Sequence, residues 1–100
     1  MIRVQWSPVA LRQRREIARY IAQDNIDAAL ALLDTLDSAA RRLESFPKLG
    51  NTGKVEGTRE LVVHKHYVLV YEIVDNTLNI LTVLHTSRQY PLDQAACGSS

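Results

Sequence analysis

A chain of 100 residues, of which 46% are hydrophobic and 23% charged, has the composition of one globular domain and not of a disordered protein. Its short apolar runs, its N-terminal sequence MIRVQWSP and its single cysteine, Cys97, predict no membrane span, no secretory signal and no disulfide framework, so we expect a cytoplasmic protein. The net charge of +1 lacks the marked basic excess that is usual in proteins that bind phosphates.

The first half of the chain predicts a strand followed by two helices. Ile2–Trp6 alternates apolar and polar residues, as a strand does, and Ser7 followed by Pro8 is typical of a helix start. A break at Asp24 and Asn25 leaves a short connection, which predicts an antiparallel helix hairpin. Apolar residues at helical spacing mark one face of each helix: Ala10, Ile17 and Ile21 in the first, and Ala29, Leu32, Leu33, Leu36, Ala40 and Leu43 in the second, which runs from about Ile26 to Ser45.

The second half of the chain predicts strands. Residues 46–57 contain one proline and three glycines and indicate a loop. The order β-α-α-β-β-β predicts an α+β fold, in which the helix hairpin packs on one face of a small antiparallel sheet. We expect one domain over residues 1–91 and an unstructured tail over residues 92–100. Three segments rich in β-branched and aromatic residues form the predicted strands, namely Arg59–Lys65, Tyr67–Asp75 and Leu78–His85.

The middle one of these strands is apolar on both of its faces. Tyr67, Leu69 and Tyr71 alternate with Val68 and Val70, although a helix hairpin can cover only one side of a sheet. The second apolar face therefore predicts a partner chain that covers it.

Several segments taken together resemble a known family. They are WSP, REIARYIAQDN, AALALLDTLDSAARRLESFPKLG, RELVVHKHYVLVYEI and ILTVLHTSRQYP, and their order and spacing over about residues 2–91 are similar to those of the RelE/ParE superfamily. These proteins are toxins of bacterial type II toxin–antitoxin modules, also called plasmid stabilisation or addiction modules. The resemblance implies the α+β toxin fold, a cognate antitoxin as partner, and contact with operator DNA only through that antitoxin.

Two kinds of toxin belong to this superfamily: RelE-like members cut messenger RNA on the ribosome, and ParE-like members block DNA gyrase. A metal-free nuclease needs a general base, a general acid and cations for the phosphorane charge. The candidates for these roles are Arg59, His85, Arg88 and Tyr90. Nuclease members usually carry an arginine where this chain has Val68, so the resemblance favours the ParE-like side.

The leading interpretation is thus a ParE-like inhibitor of DNA gyrase that a cognate antitoxin neutralises. One alternative is a RelE-like, ribosome-dependent mRNA endoribonuclease. Another is a non-toxic subunit that only binds the antitoxin and regulates its operon.

Four arginines lie within eight residues of the first helix: Arg12, Arg14, Arg15 and Arg19. They fit either a solvated basic face or a ridge that receives an acidic antitoxin segment. Our hypothesis is that Arg12, Arg14 and Arg15, together with Val68 and Val70, bind the antitoxin.

We expect no cofactor and no metal ion. His64 and His66 project to the same side of a strand, where a metal could bridge them, but no Cys, Asp or Glu completes a ligand pattern. A solvated turn is the favoured interpretation of these two histidines.

Overall fold

The structure, a computed structural model, describes residues 2–86 as two helices and a five-stranded sheet. The helices are α1 (Pro8–Ala22) and α2 (Ile26–Ser45). The strands are β1 (Arg3–Trp6), β2 (Asn51–Thr52), β3 (Thr58–His64), β4 (Tyr67–Val74) and β5 (Thr77–His85), and they lie in the order β1-β5-β4-β3-β2. The predicted α+β fold class is confirmed. Arg88, Tyr90 and the predicted tail lie outside the described residues.

Each helix begins at a side-chain cap. The Ser7 hydroxyl accepts a hydrogen bond from the Ala10 amide at 3.0 Å and donates one to the Leu81 carbonyl at 2.8 Å, so it also ties α1 to β5. The Asn25 side chain accepts from the Ala28 amide at 3.0 Å and starts α2. Both caps satisfy amides that have no partner within the helix.

No helix within residues 2–86 combines the length and apolarity that a bilayer crossing requires.

The sheet is mixed, whereas the sequence predicted antiparallel pairing throughout. β2, β3, β4 and β5 pair antiparallel, but β1 pairs parallel with β5, with Val4 opposite Leu78 and Trp6 opposite Ile80. The short strand β2, within the predicted loop, accounts for the difference. It adds one reversal of chain direction between the helix hairpin and β3, and β5 therefore runs in the same direction as β1.

The core lies between the helix hairpin and one face of the sheet. The buried stripe of α2 is the one that helical spacing predicts, with Leu36 and Leu43 fully buried, and Ala10 is the buried residue of α1. Ile17 and Ile21 pack against the same cluster. The sheet contributes alternate residues, as the pleat requires, except where the pairing of β4 with β5 shifts by one residue between Ile80 and Val83. These residues are Leu61, Tyr67, Leu69, Tyr71, Leu78, Ile80 and Val83.

A buried tyrosine fixes the segment between α2 and β2. The Tyr71 hydroxyl accepts a hydrogen bond from the Gly50 amide at 2.9 Å and donates one to the Pro47 carbonyl at 2.8 Å. Arg59 adds a bond from its Nη1 to the Gly50 carbonyl at 2.8 Å. Burial raises the pKa of Tyr71 above its ordinary value, and the Gly50 hydrogen bond and the Arg59 charge oppose this effect without cancelling it.

Raising the pH above about 10 is expected to destabilise the wild-type chain more than its Tyr71→Phe variant. The raised pKa keeps the Tyr71 hydroxyl protonated in the folded state at a pH where it already ionises in the unfolded state. The unfolded state then binds fewer protons, so the free energy of unfolding falls as the pH rises through this window; the contribution is fully present below it. Urea unfolding of both proteins between about pH 8 and 11 measures the difference. Parallel pH profiles would contradict the assignment.

Candidate functional site

The face of the sheet opposite the helices carries an apolar patch. Val68 on β4 stands between Val62 on β3 and Leu84 on β5 in the strand register, and Val70 follows Val68 on the same face. We call Val62, Val68, Val70 and Leu84 the valine patch. Val62 is 63% exposed, whereas Val70 is only 8% exposed although it is not part of the main core cluster. The prediction that Val68 and Val70 lie on a second apolar face away from the core agrees with this register.

The charged strand residues of this open face are mostly acidic. Glu60 stands opposite Val70, and Glu72 stands opposite both Thr58 and Asn79. Within residues 2–86, the basic strand residue on this face is Arg3, in the edge strand β1. Arg3 lies on the open face because Val4 and Trp6, which alternate with it, pack against the core. The open face therefore carries apolar and acidic side chains at its centre, where an RNA phosphate would require cations.

The predicted nuclease residues Arg59 and His85 do not lie together. In the register Arg59 stands opposite Tyr71 and His85 opposite Tyr67, four positions apart along β4 or about 13 Å, and β4 itself separates their strands. The Arg59 guanidinium is bonded to the Gly50 carbonyl and lies 3.5 Å from the Lys48 carbonyl. It therefore fixes the segment that precedes β2. The remaining candidates, Arg88 and Tyr90, lie outside the described residues.

Three histidines and a tyrosine gather at one end of the sheet. The rings of His66 and His85 stack at 5.4 Å with an angle of 7° between their planes, and Tyr67 meets His85 edge-on at 5.0 Å. The His64 Nδ1 accepts a hydrogen bond from the His66 amide at 3.2 Å. The sequence did not indicate this cluster, because it depends on the register that sets His85 opposite Tyr67. Within residues 2–86 no group of three or more His, Cys, Asp or Glu side chains is arranged to hold a metal ion.

The arginines of α1 fall into two groups. Arg14 turns inward: its Nη1 lies 2.9 Å from the Asp37 carboxylate, its guanidinium lies 4.7 Å from the Trp6 ring centre, and its side chain is 16% exposed. Arg12, Arg15 and Arg19 are exposed. We call these three residues the arginine ridge. Arg14 thus holds α1 to α2 and β1, whereas the ridge faces away from the core.

Comparison with known proteins identifies the family of this chain. Residues 4–90 match the family model described as ParE toxin of type II toxin-antitoxin system, parDE. The chain is 37% identical to Y4kP of Sinorhizobium fredii over 90 residues, which cover 89% of this chain and 93% of that protein. It is 33% identical to Toxin RelE2 of Caulobacter vibrioides, with 88% and 99% covered.

Among solved structures, the chain superposes on the chromosomal ParDE system from P. aeruginosa with a TM-score of 0.76 and 16% identity, covering 87% of this chain and 98% of that one. At this identity the similarity concerns the fold alone. The match of the family model over almost the whole chain shows more. The chain belongs to the ParE toxin family of type II toxin–antitoxin systems, within the RelE/ParE superfamily.

Proposed function

We propose that this toxin acts in the cytoplasm by binding and inhibiting DNA gyrase, without catalysing a reaction. The observation that supports this most is the composition of the open face, where Val68 and Val70 lie beside Glu60 and Glu72. Cleavage of RNA without a metal places negative charge on a phosphorane, which cations must stabilise. Glutamates would repel that charge and valines would not offset it. Binding of a protein surface, by contrast, is favoured by an apolar patch with a polar rim.

The valine patch is also the surface that we propose for the cognate antitoxin. A type II toxin has an antitoxin partner, and the exposed Val62 together with the half-buried Val68 offers an apolar surface that a partner segment would bury. Arg12 and Arg15 are the second proposed contact, through acidic side chains of the antitoxin. Arg14 was predicted to join them, but its guanidinium is already bonded to Asp37, so we propose that it acts by positioning α1. Operator DNA would be reached only through the antitoxin.

The histidine cluster supports a second candidate, a RelE-like nuclease. Imidazoles are the usual groups for proton transfer near neutral pH, and His85 lies against His66 and next to the exposed Lys65 turn. Such a site would lie at the end of the sheet and not at its centre. It would need a cation there to replace the arginine that nuclease members carry at the position of Val68.

One experiment separates these functions. Purified toxin is added to a gyrase supercoiling reaction and, separately, to an in vitro translation reaction, with the His85→Gln variant as the matched control. We expect wild type and variant to inhibit supercoiling equally and to leave translation unaffected. If the wild type inhibits translation but not supercoiling, and the variant no longer inhibits translation, the result would contradict gyrase inhibition and support the nuclease. If neither reaction is inhibited, gyrase inhibition is contradicted and the result favours the third alternative, a regulatory subunit that only binds the antitoxin.

A further inference from the structure

The arginine ridge has features that neither the fold nor the proposed gyrase contact uses. Arg12, Arg15 and Arg19 recur at spacings of three and four residues on the side of α1 opposite its buried residue, Ala10. Within residues 2–86 their guanidinium groups make no hydrogen bond or ion pair, in contrast to Arg14. From residue 12 to residue 19, the exposed side chains are these three arginines and Glu16. The exposed residues of this part of α1 are therefore all charged, and together they have a net charge of +2.

We infer that the arginine ridge binds the phosphate backbone of duplex DNA, namely the DNA segment that gyrase holds. The part of this inference that concerns gyrase rests on the proposed function. DNA binding by the ridge itself can be measured without gyrase. Guanidinium groups bind phosphate oxygens in a bidentate manner, and contacts to the backbone require no particular base sequence. The near-neutral charge of the whole chain is compatible with such a site, because three of its twelve Lys and Arg residues lie together on one helix face.

The spacing of the ridge fits a DNA strand. A helix rises 1.5 Å per residue, so Arg12 and Arg19 are about 10.5 Å apart along α1. Three consecutive phosphates of one strand span two steps, which rise about 6.8 Å along the duplex axis and extend further along the strand itself. Arginine side chains are long, so three of them spread over about 10.5 Å of helix can reach three neighbouring phosphates.

The centre of the ridge is charged, and its exposed apolar neighbours, Leu11 and Tyr20, lie at the two ends of the segment. This arrangement favours DNA over a protein segment as the main ligand. Protein interfaces have a desolvated apolar centre, whereas contacts to the phosphate backbone need only cations and polar groups. The ridge also points away from the sheet, and the valine patch lies on the far side of that sheet. The toxin could therefore contact gyrase through the valine patch while the ridge contacts DNA. An antitoxin that covers Arg12 and Arg15 would displace the DNA.

The test measures the salt dependence of DNA binding. Toxin alone is titrated into a fluorescently labelled duplex of about 20 base pairs and mixed sequence, at NaCl concentrations from about 50 to 200 mM. Three phosphate contacts predict a slope of about −2.7 in a plot of log Kobs against log salt, or roughly a 40-fold loss of affinity over this range. For Arg12→Gln/Arg15→Gln we expect a slope near −0.9 and only about a 4-fold loss.

The matched control is Arg41→Gln/Arg42→Gln, which removes two exposed arginines from α2 and should keep the wild-type slope. Equal slopes for the two double variants would overturn the inference. So would a ridge variant that loses affinity for the antitoxin while its DNA binding is unchanged, because the ridge would then serve an acidic protein segment. If the wild type fails to inhibit gyrase but shows the expected slopes, the proposed function fails while the ridge assignment stands. Thermal unfolding by circular dichroism verifies that all variants are folded.

Discussion

Replacing Gly50 by alanine is expected to lower the free energy of unfolding by about 3 kcal/mol. A Cβ atom at this position would lie 2.8 Å from the backbone oxygen of Glu60 and 2.9 Å from the Tyr71 hydroxyl. Both distances are too short for a carbon atom, so the segment would have to move away from β3. Its amide would then leave the Tyr71 hydroxyl and its carbonyl would leave Arg59, and buried polar groups would lose their partners.

Urea denaturation of the purified variant measures this effect, and Gly57→Ala is the matched control. Gly57 has a φ of +88°, and a Cβ atom there would meet nothing within 4 Å. Its substitution should therefore cost only about 1 kcal/mol, which is the backbone strain of a left-handed conformation. Equal losses in the two variants would mean that the close approach of Gly50 to Tyr71 and Glu60 does not matter for stability.

The helices and long strands could be predicted because their residues repeat with the period of the element. The stripe through Leu32, Leu36 and Leu43 indicates α2 without any knowledge of its neighbours. Strand β2 could not be found in this way, because Asn51 and Thr52 are too few to show a period and pair only through the distant residues Glu60 and Arg59. The parallel pairing of β1 depends on that missing reversal.

In the candidate site, too, features set by neighbouring residues in the sequence could be predicted, whereas features set by contacts between distant residues could not. Alternation along β4 was enough to assign Val68 and Val70 to the face opposite Tyr67, Leu69 and Tyr71, because this assignment needs no partner strand. Arg14 was grouped with Arg12 and Arg15 by proximity in sequence, although it lies on the Ala10–Ile17 stripe of α1 and the helical period could have indicated its inward position. Its partner Asp37 could not be foreseen. The separation of Arg59 from His85 likewise depends on strand register, which the sequence leaves open.

The substitution with the largest expected effect on partner binding is Val68→Asp. Val68 lies at the centre of the valine patch, between Val62 and Leu84. Val68 is half-buried in the free toxin, so water still reaches the new carboxylate there. If the antitoxin covers this patch, as we propose, the carboxylate would lose that water in the complex and be buried without a partner. We expect the affinity for the cognate antitoxin to fall about 100-fold, which corresponds to about 2.7 kcal/mol.

Isothermal titration of the antitoxin into wild-type and variant toxin measures this loss, and Val74→Asp is the matched control. Val74 lies on the same strand and the same face, but at the opposite end of β4, opposite Thr77, and it is 50% exposed. The control introduces the same charge outside the valine patch, so it should change the affinity less than about 3-fold. A Val68→Asp variant that is folded and binds the antitoxin as tightly as the control would show that the antitoxin leaves the valine patch uncovered. The patch would then be free to contact gyrase while the antitoxin is bound, and neutralisation would have to act through another surface.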